Sequence, residues 1–220
     1  MKTIVITGAS RGIGRALTER FLQNGDFVIG TSTSGVTPIE HDRSLMLQLD
    51  LSDPKSIEAC TKSIIDSGKK VDILINNAGI WSGIEDDAII HVELLRKVLE
   101  VNLFGTVDFT ERLVPVMNDG GHIVSISSRM GSIELVPKMY LDCPDYKISK
   151  AALNMVTRIL AARLADKITV SSVHPGWVKT DMGGSDADLE PAEAADDIFI
   201  LANSAVESGQ FWFKGEKFPW

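Results

Sequence analysis

The sequence predicts an α/β fold: a single Rossmann-type domain, three-layer α/β/α, in which helices cover both faces of a doubly wound parallel sheet. Three observations predict it. Short apolar, β-branched runs alternate with segments of helical period from the first residues onward. The strands are apolar throughout, as strands buried on both faces must be. A glycine cluster at Gly8, Gly12 and Gly14 falls where the first strand hands over to the first helix.

Each element has its own signal. Thr3 to Thr7 is a β-branched run ending at a glycine, a strand. Gly12 to Asn24 places Ile13, Ala16, Leu17 and Phe21 at helical spacing, and Gly25 follows as the stop. Phe27 to Thr31 and Leu45 to Asp50 read as the second and third strands. Asp53 then caps a helix that starts at Pro54 and stops at Gly68. Val71 to Asn76 is the fourth strand. A long helical stretch, Val92 to Met117, is interrupted near Asn102 and Gly105. His122 to Ser127 is the fifth strand, Asp145 to Ala165 a helix, Ile168 to His174 the sixth strand, Pro191 to Asn203 a helix and Phe211 to Phe213 a last short strand. No linker, repeat or low-complexity segment divides the chain, so one domain spans residues 1–220.

Composition narrows the function classes. At 44% hydrophobic and 24% charged, the 220 residues are too apolar to be disordered. Two cysteines, Cys60 and Cys143, make neither a disulfide scaffold nor a metal-ligand pattern, so no metal is expected. The net charge of -8, with no long basic run, argues against nucleic acid. Met1 to Gly8 is too short an apolar stretch for a signal peptide, and no apolar run reaches membrane-spanning length. The expected location is cytoplasmic, with no membrane partner.

The loop Gly8-Ala9-Ser10-Arg11-Gly12-Ile13-Gly14 carries the first chemistry. Glycines let a backbone turn sharply beneath a pyrophosphate, and a helix N-terminus offers free N–H groups and positive potential. Loops are also glycine-rich for turn geometry alone, but the position between first strand and first helix favours a dinucleotide. The second strand ends in Gly30-Thr31-Ser32-Thr33-Ser34, with no acid before Glu40 to hold ribose hydroxyls. Thr33 and Arg11 suit a 2′-phosphate instead, which favours NADP(H) over a plain polar loop. Asp50 and Leu51 end the third strand where adenine should lie, though Asp50 also reads as a helix-capping group beside Asp53. Asn77, Ala78 and Gly79 end the fourth strand, and their small size leaves room for a ligand. For Asn76 and Asn77 a strand-bracing role is nearly as well supported.

Tyr146 and Lys150 stand four apart at the start of a helix and share a face. A free phenol titrates near 10, and a cation one turn away is expected to lower that value. The pair can then exchange a proton with an alcohol or a carbonyl. Ser127 and Ser128 end the preceding strand, at the carboxyl edge where an open α/β sheet binds its ligands.

Together these residues resemble the short-chain dehydrogenase/reductase family over nearly the whole chain. The matching stretches are TGASRGIG at 7–14, NNAG at 76–79, VNLFG at 101–105, SISS at 125–128, YKISK at 146–150 and HPGWVKTDM at 174–182. The resemblance implies that Tyr146 exchanges the proton, Lys150 lowers its pKa and holds the nicotinamide ribose, and Ser128 binds the substrate oxygen. It implies that Asn102 holds a relay water, and that Pro175, Gly176, Val178 and Thr180 line the nicotinamide. The GTSTS segment is similar to that of ketoacyl-carrier-protein reductases. HPGWVKTDMGG and the Phe218-Pro219-Trp220 ending look more like C-factor and sniffer-type carbonyl reductases. The family also implies a homodimer or homotetramer.

Two features depart from the family pattern. The Ser128–Tyr146 interval is lengthened, with the extra residues in Glu134–Asp145 and a second tyrosine, Tyr140, among them. The segment between Thr180 and Pro191 is short, so the usual substrate lid is reduced. His174 reads as packed rather than catalytic. The expected activity is NADP(H)-dependent reduction of a small carbonyl compound to an alcohol. The expected apolar pocket is walled by Trp81, Leu135, Met139, Tyr140, Trp177 and Met182. A cofactor-sensing or signalling protein of the same fold is the alternative. A third reading is an interaction module with a face built from Trp81, Trp177, Trp212 and Trp220.

Overall fold

The computed structural model describes residues 1–83 and 88–220. Eight strands form one sheet: β1 (Thr3–Ile6), β2 (Phe27–Ser32), β3 (Ser44–Gln48), β4 (Val71–Asn76), β5 (Met117–Ile126), β6 (Ile168–Val173), β7 (Gln210–Phe213) and β8 (Glu216–Lys217). The helices are α1 (Gly12–Gln23), α2 (Pro54–Asp66), α3 (Val92–Leu99), α4 (Thr106–Leu113), α5 (Pro144–Arg163) and α6 (Pro191–Asn203). Strand order is β3-β2-β1-β4-β5-β6-β7-β8. Every pairing is parallel except β7 with β8. The chain leaves β1 toward one edge of the sheet and β4 toward the other. A crevice therefore opens beyond the carboxyl ends of β1 and β4, the ligand position of doubly wound sheets.

Each face of the sheet buries its own apolar layer. On one, Leu17 and Phe21 of α1 and Ile198 and Phe199 of α6 pack on Ile4, Ile6, Ile73 and Ile75. On the other, Ile57 and Ile64 of α2, Phe109 and Leu113 of α4 and Leu160 of α5 pack on Val5, Ile29, Leu74 and Ile123. Alternate residues of β1 and β4 thus serve opposite layers, which explains their unbroken apolar sequence.

Several boundaries differ from expectation, each for a local reason. The third strand ends at Gln48 rather than Asp50, because the Asp50 carboxylate accepts from Ser52 N and Ser52 Oγ and folds the chain into a turn. The long helix Val92–Met117 is three pieces: α3, a π-helical segment at Glu100–Gly105, and α4. The interruption expected at Asn102 and Gly105 is that π segment. Pro115, which lacks an N–H, turns the end into a short 3₁₀ segment, Val114–Val116. The fifth strand starts earlier than His122, since Met117 already pairs with Val71 before an irregularity resets the register. The strand β8 carries no sequence signal of its own. It forms because Lys214 and Gly215 both take positive φ, 48° and 79°, and turn the chain back on β7. Trp212 is buried in the core, which dismantles the four-tryptophan surface face. Among the described residues no helix is long and apolar enough to cross a membrane, and no group of three potential metal ligands occurs.

Candidate active site

The crevice is a cavity of about 1270 Å³ running from the β1–α1 loop across the ends of β2, β3 and β4 to the N-terminus of α5. That exceeds the roughly 300–1,000 Å³ of a typical small-ligand pocket and suits a dinucleotide with a second molecule beside it. At one end, Arg11 is the N-cap residue of α1, and its side chain makes no capping bond. The first turn of α1 holds no acid, so its N–H groups face the cavity with positive potential and no side-chain partner. Gly14 lets α1 come this close: a Cβ there would lie 2.1 Å from the Gly8 carbonyl oxygen. An anionic pyrophosphate fits this cradle.

The loop is braced by β4. Asn77 Nδ2 donates to the carbonyls of Thr7 at 2.8 Å and Gly8 at 3.2 Å, while Thr7 Oγ1 accepts from the N–H groups of Asn77 and Ala78, both at 3.0 Å. Asn76 is tied to Thr110 Oγ1 at 2.9 Å. The side chains of both asparagines therefore brace strand ends. At the end of β2, Thr33 stands exposed on the cavity wall. Its carbonyl accepts from Gln48 Nε2. Asp50 and Leu51 also line the wall.

At the other end, Ser128, Tyr146 and Lys150 converge. Ser128 sits beyond β5 as the N-cap of a short 3₁₀ turn, its Oγ accepting from Met130 N at 3.1 Å. It also hydrogen-bonds the Tyr146 phenol. Tyr146 and Lys150 share one face of α5, with Lys150 Nζ 5.4 Å from the phenol ring centre. Burial pushes Tyr146 up to about 12, opposed in part by the Ser128 hydrogen bond. Burial pushes Lys150 down to about 8, and its Nζ donates to the Ile126 carbonyl at 2.8 Å. The lowered phenol pKa expected from the lysine is thus reversed. Desolvation is the largest cause at both groups, and each is pushed toward its neutral form.

Asn102 stands behind this site. Its Oδ1 accepts from Ile80 N at 2.8 Å, and its Nδ2 donates to Ile80 O at 2.8 Å and to Ser149 Oγ at 3.0 Å. Ser149 Oγ donates in turn to the Tyr146 carbonyl. Both amide protons are used in clamping the π segment to the turn after β4 and to α5, while Oδ1 keeps one lone pair. Gly14 and Asn102 apart, every residue predicted to be catalytic or cofactor-binding lines the cavity. Pro175, Gly176, Val178 and Thr180 do so from the turn after β6. His174 is packed as expected, stacked 4.8 Å from the Phe213 ring and pushed down to about 4 by burial.

The outer wall needs one correction. Trp81, Tyr140, Trp177 and Met182 line the cavity, but Leu135 and Met139 do not. In their place stand Leu141, Asp142 and Cys143. The reason is Lys147, a mostly buried residue whose ammonium pairs with both the carboxylate and the carbonyl of Asp142. That clasp draws 141–143 inward, and Cys143 takes φ 45° to enter α5. No sequence pattern announces the clasp; a lysine beside the tyrosine reads as surface.

The chain's likenesses agree with this site. The short chain dehydrogenase family model matches residues 2–190. Carbonyl reductase (NADPH) 1 of Mus musculus is 28% identical over 98% of this chain and 97% of its own. The 3-oxoacyl-(acyl-carrier-protein) reductase FabG of Vibrio cholerae is 32% identical over 82% of this chain and 75% of its own. Among solved structures, the carbonyl reductase Sniffer of D. melanogaster superposes with a TM-score of 0.87 at 25% identity, over the full length of both chains. A short-chain dehydrogenase/reductase from Burkholderia multivorans with bound NADP superposes at 0.88 and 30%, over 100% of this chain and 99% of that one. A dinucleotide crevice, a phenol–lysine pair on one helix face and a family match spanning most of the sequence make one case: this chain belongs to the short-chain dehydrogenase family.

Proposed function

We propose that the protein is an NADPH-dependent oxidoreductase that reduces an apolar ketone or aldehyde to an alcohol. One observation carries the reading: the Ser128–Tyr146 hydroxyl pair closes the deep end of a cavity whose other end is the uncapped N-terminus of α1. NADP-bound and NADPH-dependent relatives support the cofactor. Loop residues Gly8, Ser10, Gly12 and Ile13 cradle the pyrophosphate, with Gly14 behind them. Arg11 and Thr33 receive the 2′-phosphate, and Asp50 and Leu51 border the adenine. Asn77, Ala78 and Gly79 leave room for the nicotinamide half, bordered opposite by Pro175, Gly176, Val178 and Thr180. Bound there, the reduced nicotinamide supplies a hydride.

The chain's own residues do the rest. Ser128 and Tyr146 hold the carbonyl oxygen between two hydroxyls, which fixes its position and its polarisation. Tyr146, held as a neutral phenol far above neutrality, donates the proton as the oxygen gains charge. Lys150, poised at about 8, returns a proton to the phenolate and holds the nicotinamide ribose. With its amide protons spent, Asn102 holds a relay water through the remaining Oδ1 lone pair or the main chain of the π segment. Trp81, Tyr140, Leu141, Trp177 and Met182 give the substrate apolar walls and a broad mouth, so selectivity is loose. Following NADPH absorbance over a panel of ketones and aldehydes tests the reading. Turnover of apolar members is expected. Tight NADPH binding with no turnover of any member overturns it in favour of a sensing role.

A further inference from the structure

Three cations line the cavity among the described residues: Arg11, Lys150 and Lys179. Lys150 is committed to the Ile126 carbonyl, and Lys179 to Glu190 at 2.6 Å. Arg11 is the cation assigned above to the 2′-phosphate, and it is already engaged. Its Nη1 lies 2.7 Å from Asp181 Oδ2, an ion pair that joins the β1–α1 loop to the turn after β6. Both side chains are largely exposed, 81% and 75%, so the pair is solvated and open to exchange.

Asp181 is nonetheless presented on a fixed backbone. Thr180 Oγ1 accepts from Gly183 N at 3.1 Å, and Trp177 Nε1 donates to Gly183 O at 2.8 Å. Gly184 N returns to the Thr180 carbonyl at 2.9 Å. The turn is so tight that a Cβ on Gly183 would lie 2.0 Å from the Val178 carbonyl oxygen. The carboxylate is therefore held at the lip of the groove, facing the one guanidinium that the phosphate needs.

We propose that Asp181 is a built-in competitor for Arg11, and that it limits how strongly the protein prefers NADP(H) over NAD(H). The inference rests on the cofactor assignment above and concerns a residue which that assignment does not use. A ligand bearing a 2′-phosphate must displace the carboxylate or share the guanidinium with it. A ligand with a bare ribose leaves the ion pair intact. Asp181 therefore lowers affinity for the first and is indifferent to the second.

Dissociation constants measured by calorimetry for NADPH, NADH and 2′,5′-ADP test this in wild type, Asp181→Asn, Asp181→Ser, Arg11→Ala and the Arg11→Ala/Asp181→Asn double variant. Both Asp181 variants are expected to bind NADPH and 2′,5′-ADP about three- to fivefold more tightly, the modest gain fitting an exposed pair. NADH binding should not change, and in the Arg11→Ala background Asp181→Asn should have no effect. Equal changes for NADPH and NADH, no change, or weaker NADPH binding overturn the proposal; the last would make Asp181 a residue that orients Arg11. If wild type binds neither NADPH nor 2′,5′-ADP while NADH binds, the cofactor assignment itself fails. Matched melting curves keep a misfolded variant from counting in either direction.

Discussion

Tyr146 and Lys150 sit at the same end of α5, yet burial moves them in opposite directions, to about 12 and about 8. Both shifts favour the neutral form, so near neutrality the phenol keeps its proton. Two expectations follow at this scale. Tyr146→Phe removes the acid without touching the pyrophosphate cradle, so turnover should fall by about 10² or more while NADPH still binds. Tyr140→Phe should keep most of the rate, because Tyr140 lies exposed on the rim, with no lysine one turn away. Steady-state rates and a binding titration on both variants check this, and an active Tyr146→Phe would mean the wrong tyrosine. The pH profile gives the second. Burial holds Tyr146 up at about 12, so the limb in the working range is assigned to Lys150, held down at about 8. Reduction consumes a proton, so kcat/KM should fall as pH rises through 8, by about tenfold per unit once the lysine is neutral. A flat profile from pH 7 to 10 contradicts the assignment.

Elements act here through close approach. The π segment brings Asn102 against Ile80 and Ser149 because Gly105 lies directly on the turn after β3, where a Cβ would sit 1.9 Å from the Leu51 carbonyl oxygen. Gly105→Ala must push the segment off that turn. Overpacking of this kind costs roughly 1–3 kcal/mol, which lowers the unfolding midpoint of a domain this size by about 5 °C. Thermal unfolding followed by circular dichroism reads the shift. An unchanged midpoint would show that the segment yields without loss. The loop before Tyr146 is fixed the same way at both ends, by Glu134 N on the Trp220 carbonyl and by the Lys147–Asp142 clasp. Only its last residues therefore reach the cavity.

For the molecule as a whole, α5 presents two faces. Leu153, Thr157, Leu160 and Ala161 are buried, while Met155 and Ile159, each 58% exposed, and Ala162 lie outward at helical spacing. Ala161 belongs to the core rather than to any interface. Phe104 of the adjoining π segment is 56% exposed. Such an outward stripe is what a second copy would cover, and we expect a homo-oligomer in solution. Light scattering at micromolar concentration should give a mass above the monomer, and Ile159→Glu should return it toward one chain. A stable wild-type monomer overturns the expectation.

The sequence alone determined the alternation of strands and helices, the one-domain architecture and the residues at the strand ends. Those features are written in local periods: two for strands, 3.6 for helices, and glycine where backbone meets backbone. Gly8, Ser128, Tyr146 and Lys150 were legible because each lies a fixed step from a recognisable element end. Tertiary structure alone decided what depends on contacts far apart in the chain. Burial, not the neighbouring cation, sets the direction of the Tyr146 shift. Both Asn102 amide protons go to partners 22 and 47 residues away. Lys147 turns inward and chooses which loop residues wall the pocket. Arg11 meets Asp181 across 170 residues of sequence. None of these has a local period to announce it, because each is fixed by desolvation or by hydrogen bonds that exist only once the sheet has brought distant segments together.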